Sequence, residues 1–372
     1  MQHPDPHIFG MDRPALEAWC AAHGFERFRA EQLGRWVYEH GEADASAWNN
    51  VPKRLREAAA GIGVATGRTI EHQSASDGTQ KLLIEWDDPE SARSTSLPIA
   101  GQAGDVTRQT ECVMIPSLDE GSNRKTACIS SQVGCPVGCK FCASGLSGLD
   151  GNLSAGRIVE QVWRLERLPG VGRISNIVFM GMGEPLSNFG PVTDAIRTLA
   201  RPRPFGMGIG ARKITVSTVG LPKYIRRLAA ELDLPITLAL SLHAPTDDLR
   251  RELIPWSEYT TIAELLDACA AWFAKTGREI TLEYTLLGGT NDSPEQAREL
   301  ARLARTLRAN INLIRYNEVD GLPFRRPRDE GVRAFQRILR EAGINCHIRA
   351  SRGRDIAAAC GQLRHEHESS AG

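Results

Sequence analysis

From about residue 108 to residue 349, short strand-like segments alternate with longer amphipathic ones, and this alternation restricts the possible folds more than any other feature. Candidate strands are Thr126–Ser130, Ile174–Met180, Lys213–Thr218, Pro235–Ser241, Glu279–Leu287 and Ile311–Tyr316. Helical spacing fills the intervals at Ser154–Leu168, Phe189–Leu199, Leu221–Leu232, Ile262–Lys275 and Pro294–Leu307. A last helix, Glu330–Ala342, precedes a final strand, Asn345–Arg349. Strands joined by helical crossovers pair in parallel, with the helices outside the sheet. Six β–α units are too few for the eight-unit barrel, so the expected fold class is α/β, an incomplete (βα)6 barrel.

The N-terminal part reads differently. Asp12-Arg13-Pro14 is a helix start, with Leu16, Trp19 and Cys20 at helical spacing. Phe28, Leu33, Trp36 and Val37 continue the pattern, and a third short helix is expected over Lys53 to Ala60. Thr69–Gln73 and Gln80–Trp86 flank Ser76-Asp77-Gly78 as a β-hairpin. The expected division is an accessory domain over 1–106, comprising helices, hairpin and a Pro/Gly/Ser-rich linker at 87–106, then the barrel over 107–363 and a disordered tail over 364–372.

Three thiols fall within eight residues in Cys135-Pro-Val-Gly-Cys139-Lys-Phe-Cys142. Thiolates so placed on one loop suit three irons of a 4Fe–4S cube, leaving the fourth iron open. A structural zinc site is the plainer alternative, but it lacks an evident second ligand pair. The Gly-rich and polar stretches Cys135–Cys142, Gly181–Pro185, Ser217-Thr218, Ser241–His243 and Asn317 all follow strands, where β/α barrels carry their chemistry. The sequence start lacks the charged and apolar regions of a signal peptide, and no run of 18 apolar residues occurs, so the expected compartment is the reducing cytoplasm and no membrane partner is expected. Nine cysteines there read as ligands or reactive thiols rather than a disulfide framework.

The C-x3-C-x2-C spacing with Phe141 before the last cysteine, together with Gly181-Met182-Gly183-Glu184-Pro185, resembles the radical S-adenosylmethionine superfamily. That resemblance implies a 4Fe–4S cluster on Cys135, Cys139 and Cys142. It also implies that the open iron binds S-adenosylmethionine, whose reductive cleavage yields a 5′-deoxyadenosyl radical. More narrowly, Thr126–Cys135, Asp355–Leu363 and Glu111–Pro116 resemble the RlmN family of dual-specificity RNA methyltransferases. By that resemblance Cys360 takes a methyl group, which becomes a methylene radical and adds to carbon 2 of adenosine in 23S rRNA or tRNA. Glu111 then takes the carbon-2 proton, and Cys128 attacks Cys360, releasing the product through a transient disulfide. Contacts to S-adenosylmethionine are implied for Gly183, Glu184, Ser217, Ser241, Leu242, His243 and Asn317. The family's prolines around the last position are absent from Ile314-Arg315-Tyr316-Asn317-Glu318. A monomer supplied by an electron donor such as flavodoxin or ferredoxin is also implied.

Lys+Arg and Asp+Glu each total 45, so the whole chain carries no basic signal for RNA. Between Arg315 and Arg354, however, ten Arg face five acids, and Arg325, Arg326, Arg328, Arg352 and Arg354 are candidate phosphate contacts. Cys20, Cys112, Cys269 and Cys346 read as packing residues, as do Trp36 and Trp48 at helical spacing. Open alternatives are carbon-8 methylation, the chemistry of the sister Cfr family; another radical enzyme such as a glycyl-radical activase; and a non-catalytic metal-bound RNA-binding protein.

Overall fold

The computed structural model describes residues 1, 3–86, 108–117, 119, 121–146 and 148–363. The expected linker over 87–106 and tail over 364–372 lie outside the described residues. Strands β1 (Gly67–Ser74), β2 (Gln80–Trp86), β3 (Arg108–Pro116) and β4 (Lys125–Cys128) pair antiparallel in that order. A separate short pair, β5 (Gln132–Gly134) and β6 (Leu149–Asn152), brackets the cysteine loop. From β4 the large sheet continues in parallel through β7 (Asn176–Phe179), β8 (Ile214–Thr218), β9 (Thr237–Ser241), β10 (Ile280–Leu286), β11 (Ala309–Arg315) and β12 (Cys346–Arg349). The result is one ten-stranded sheet with β1 and β12 at its ends. The six expected parallel strands and the final seventh are all present, and the expected hairpin extends the same sheet through β3.

Helices α4 (Ala155–Leu165), α5 (Phe189–Ala200), α6 (Pro222–Glu231), α8 (Ile262–Thr276), α9 (Pro294–Ala304) and α10 (Asp329–Glu341) fill the predicted intervals. The seven-residue α7 (Asp247–Leu253) was not expected; it is too short to show a helical period and begins on the Thr246 hydroxyl, which accepts from Leu249 N. Period-two alternation divides the parallel strands into two faces. Ile177, Phe179, Ile214, Val216, Leu238, Leu240, Leu282, Tyr284, Ile311 and Leu313 are buried in the main core. The opposite face carries Val178, Ser217, Ser241, Glu283, Thr285 and Arg349. Cys128 pairs with both Val113 and Val178, so this second face runs on through Cys128 and Val113 to Glu111 and Lys81.

The N-terminal helices α1 (Arg13–Ala22), α2 (Arg29–Gly34) and α3 (Lys53–Ala59) share the main core with α4, which the Ile8–Gly10 turn contacts directly and whose Trp163 Nε1 donates to Val37 O at 2.9 Å. Asp12 caps α1 through Ala15 N at 2.9 Å, as the Asp-Arg-Pro start predicts. Because α4 lies between sheet and accessory helices, nine of its eleven residues are buried, including Arg157, Glu160 and Gln161. Glu160 accepts bonds from Thr66 N at 3.0 Å, Thr66 Oγ1 at 2.8 Å, Gly67 N at 3.0 Å and Arg164 Nε at 2.8 Å. The two ends of the sheet are tied by side chains. Asp77 in the β1–β2 turn accepts from Gly353 N at 3.0 Å and pairs with Arg352 at 3.5 Å, while Asp355 accepts from Ser76 N at 2.9 Å.

Candidate active site

The segment after β4 is fixed before the first clustered cysteine. Gln161 bonds both Ser130 N and Ser130 O at 2.8 Å. Gly134 then turns the chain at φ 73°, and a Cβ there would lie 2.0 Å from Gly148 O. Only glycine meets both demands. The loop is held by Cys135 N to Gly148 O at 2.8 Å, Lys140 N to Leu253 O at 3.0 Å and Ala143 N to Gly361 O at 2.8 Å. Phe141 packs edge-on against the His243 ring at 5.1 Å.

Cys135, Cys139 and Cys142 line one cavity with Gly183, Glu184, Ser217, Ser241, His243 and Cys360. Burial pushes the Cys135 thiol up to about 12 and the Cys139 and Cys142 thiols up as well. Unliganded, these thiols are protonated at neutral pH; a polycationic cluster would hold them as thiolates. Among the described residues no three His, Cys, Asp or Glu side chains are grouped to hold a single metal ion. A donor set of three soft sulfurs in one cavity fits a 4Fe–4S cube, each thiolate capping its own iron.

Glu184 is 2 % exposed, and its carboxylate accepts from Leu186 N and Val219 N, each at 2.9 Å. Burial raises its carboxyl above the ordinary value, and these backbone bonds oppose the rise. Gly183, at φ 100°, lets the chain pass the Gln132 side chain, which a Cβ would approach to 2.6 Å. Ser217 and Ser241 share a hydrogen bond at 3.2 Å. His243 accepts from Thr285 N at Nδ1, 3.0 Å away, and burial lowers its value to about 3, so the ring is neutral. Leu242 does not line the cavity; its side chain lies in the main core. Asn317 donates to the Cys360 carbonyl at 3.3 Å and accepts from Arg326 at 3.2 Å, so it reaches the Cys360 loop despite the missing prolines.

A second cavity, beside the first, is lined by Cys128, Cys360, Asn317 and Arg349. Cys360 lines both cavities. Cys128 is buried, which pushes its thiol up to about 12, while nearby Arg349 pulls it down. Arg349 also faces Glu283 at 3.6 Å. Glu111 lines a third, polar opening with Lys81, whose ammonium stands 2.6 Å from it. The loop over 353–363 stands between these openings: Ala357 and Gln362 line the third, Ala358, Ala359 and Cys360 the second. Glu283, Arg349 and Lys81 were not singled out from sequence. Each is a charged residue inside a strand, and their partners are distant in the chain, so no local spacing marks them.

The arginine run divides. Arg325 and Arg328 are exposed, but Arg326 donates to Tyr316 O at 3.1 Å and to Asn317 Oδ1, so it shapes the site. Arg352 is engaged with Asp77. Cys20, Cys112, Cys269 and Cys346 are fully buried, and Trp48 is core with Trp36 stacked on it at 6.5 Å.

Residues 129–304 match the family model of the Radical SAM superfamily, and residues 7–62 match the ribosomal RNA large subunit methyltransferase N-terminal domain. A Gloeobacter violaceus protein described as "Probable dual-specificity RNA methyltransferase RlmN" is 42% identical over 96% of this chain and 94% of its own. A Rhodopirellula baltica protein of the same description is 42% identical over 96% of this chain and 90% of its own. The crystal structure of a radical SAM methyltransferase from Sphaerobacter thermophilus superimposes with a TM-score of 0.87 at 41% identity, covering 97% of this chain and 99% of that one.

Proposed function

The chain belongs to the RlmN family of radical S-adenosylmethionine RNA methyltransferases, and from that premise we propose that it methylates carbon 2 of adenosine in 23S rRNA and tRNA through a methyl group carried on Cys360. The observation that carries this reading is the position of Cys360, which lines both the cavity of Cys135, Cys139 and Cys142 and the cavity of Cys128. A thiol so placed can be loaded and activated on one side and resolved on the other. When bound, the cluster and S-adenosylmethionine supply one-electron chemistry, both to abstract hydrogen and to take back the electron the adduct sheds.

The residues of the chain divide the remaining work. Gly183, Glu184, Ser217, Ser241 and His243, which line the cysteine cavity, would hold S-adenosylmethionine, with the Leu242 backbone and Asn317 as further contacts at its edge. The Cys360 sulfur would take the methyl group of bound S-adenosylmethionine, with S-adenosylhomocysteine as the leaving product. After carbon–carbon bond formation Glu111 accepts the carbon-2 proton. Cys128 then attacks the Cys360 sulfur: a sulfur–sulfur bond forms, the carbon–sulfur bond breaks, and its electron pair stays on carbon, which is protonated to methyl. Arg349 beside Cys128 favours the attacking thiolate. No described helix is long and apolar enough to cross a membrane. A cytoplasmic monomer fed by flavodoxin or ferredoxin remains part of the proposal.

The test is a pair of variants. Cys360→Ala should retain iron and sulfide and form no methylated RNA. Cys128→Ala should stall with RNA bound covalently to Cys360 through a methylene bridge, visible on a denaturing gel and by peptide mass spectrometry after nuclease digestion. Normal turnover by either variant would remove the scheme, and 8-methyladenosine as the nucleoside product would move the assignment to carbon 8.

A further inference from the structure

Lys81 has no place in the scheme above, yet its surroundings are those of a working group. It lies on β2 opposite Val113, which in turn pairs with Cys128, so Lys81, Glu111 and Cys128 share one sheet face. Its ammonium is 2.6 Å from Glu111 Oε1, and the two side chains are only 9% and 8% exposed. Lysine is rarely buried at this level without a paired charge. A buried ion pair is also a poor stabiliser, because stripping water from both charges offsets their attraction. The hairpin would pair as well with apolar residues there, as Leu83 beside it does. The pair borders a polar opening rather than the core.

We propose that Lys81 is a positioning residue for the methyl-transfer reaction: its ammonium orients the Glu111 carboxylate and keeps it ionised, ready to accept the carbon-2 proton. This rests on the reading of Glu111 as the base. In that step the carbon–hydrogen bond breaks, the proton goes to the carboxylate and the electron pair stays in the ring. Facing the same opening are Glu71 on β1, Glu318, Asp320 and Asp355 as acids and Arg354 as a base. With Lys81 gone the acids predominate, and they favour the protonated carboxyl. A cation within about 4–6 Å lowers a carboxyl by roughly 1–3 units, so its removal should move proton acceptance to higher pH by about that much.

The experiment uses cluster-loaded enzyme with an RNA substrate, and follows RNA covalently held on Cys360 as a function of pH. Formation of methyl-Cys360 without RNA serves as the folding control. Lys81→Met is expected to load methyl normally and then to accumulate adduct, its resolution showing an acid limb about 1–3 pH units higher. Lys81→Arg is expected to restore the original limb. If Glu111→Gln stalls but Lys81→Met resolves adduct with an unmoved limb, Lys81 is structural and the proposal fails alone. If Glu111→Gln itself resolves adduct at the parental rate, the base assignment fails and takes this proposal with it.

Discussion

Gly134 shows how much of the site rests on single residues. Its φ of 73° disfavours any side chain, and a Cβ there would lie 2.0 Å from Gly148 O. Gly134→Ala should cost about 1–3 kcal/mol in backbone strain alone, and relief of the clash should open the loop that presents Cys135. The expected outcome is a folded barrel with little iron or sulfide, measured by metal analysis beside circular dichroism; full cluster content would contradict it. At this scale the sequence was readable where function follows local spacing. Three cysteines in eight residues mark a metal or cluster loop by their spacing alone. Cys128 and Cys360 have no such local signature, because they meet only when β4 and the segment after β12 are brought together, and resemblance alone marked them. The engagement of Arg326 was hidden for the complementary reason: an arginine in a basic run looks free until Tyr316 O and Asn317 accept from its Nη1.

Among the elements, α4 is tied through one buried carboxylate to His7 and to Thr66 and Gly67, the two ends of the N-terminal segment. Burial pushes Glu160 up, but bonds from His7, Arg164 and Gly67 outweigh it, and its carboxyl falls below the ordinary 4.5. A carboxylate depressed in the folded chain contributes stability above the unfolded value, and that contribution is lost as pH falls through the folded one. The parent should therefore lose stability below about pH 4.5 more steeply than Glu160→Gln, as followed by urea midpoints at successive pH values. At neutral pH, Glu160→Ala should destabilise by about 3–5 kcal/mol, since His7, Thr66 and Arg164 lose their common acceptor. Equal acid sensitivity would make the carboxylate dispensable to docking. The helices and parallel strands were legible because amphipathic period and β-branched runs are local. The seven-residue α7 and the β5–β6 pair were not: α7 follows a strand-end loop with no apolar period of its own, and β5 and β6 are only three and four residues long.

For the molecule as a whole, neutrality conceals a local asymmetry, and RNA affinity should report it. Arg325 and Arg328 are exposed, so changing both to Ala should weaken binding and flatten the slope of log K against log salt by about 0.7–0.9 per lost phosphate contact. Filter binding over a salt series would measure this, and an unchanged slope would exclude the pair from the RNA surface. Arg326→Ala should instead disturb turnover with the slope kept. The side-chain ties across the sheet ends bear on the order in which the molecule is made. They join partners 276 and 279 positions apart, and the cluster loop is likewise anchored across the fold, by Ala143 N on Gly361 O and Ser144 Oγ on Leu363 O. Closure entropy grows only logarithmically with length, so such a contact forms late without being weak. During synthesis the cysteine loop and the sheet ends therefore gain their last anchors together, once residues 353–363 have left the ribosome. The thiol proposed to accept the methyl group thus arrives with the segment that closes the cavity around it.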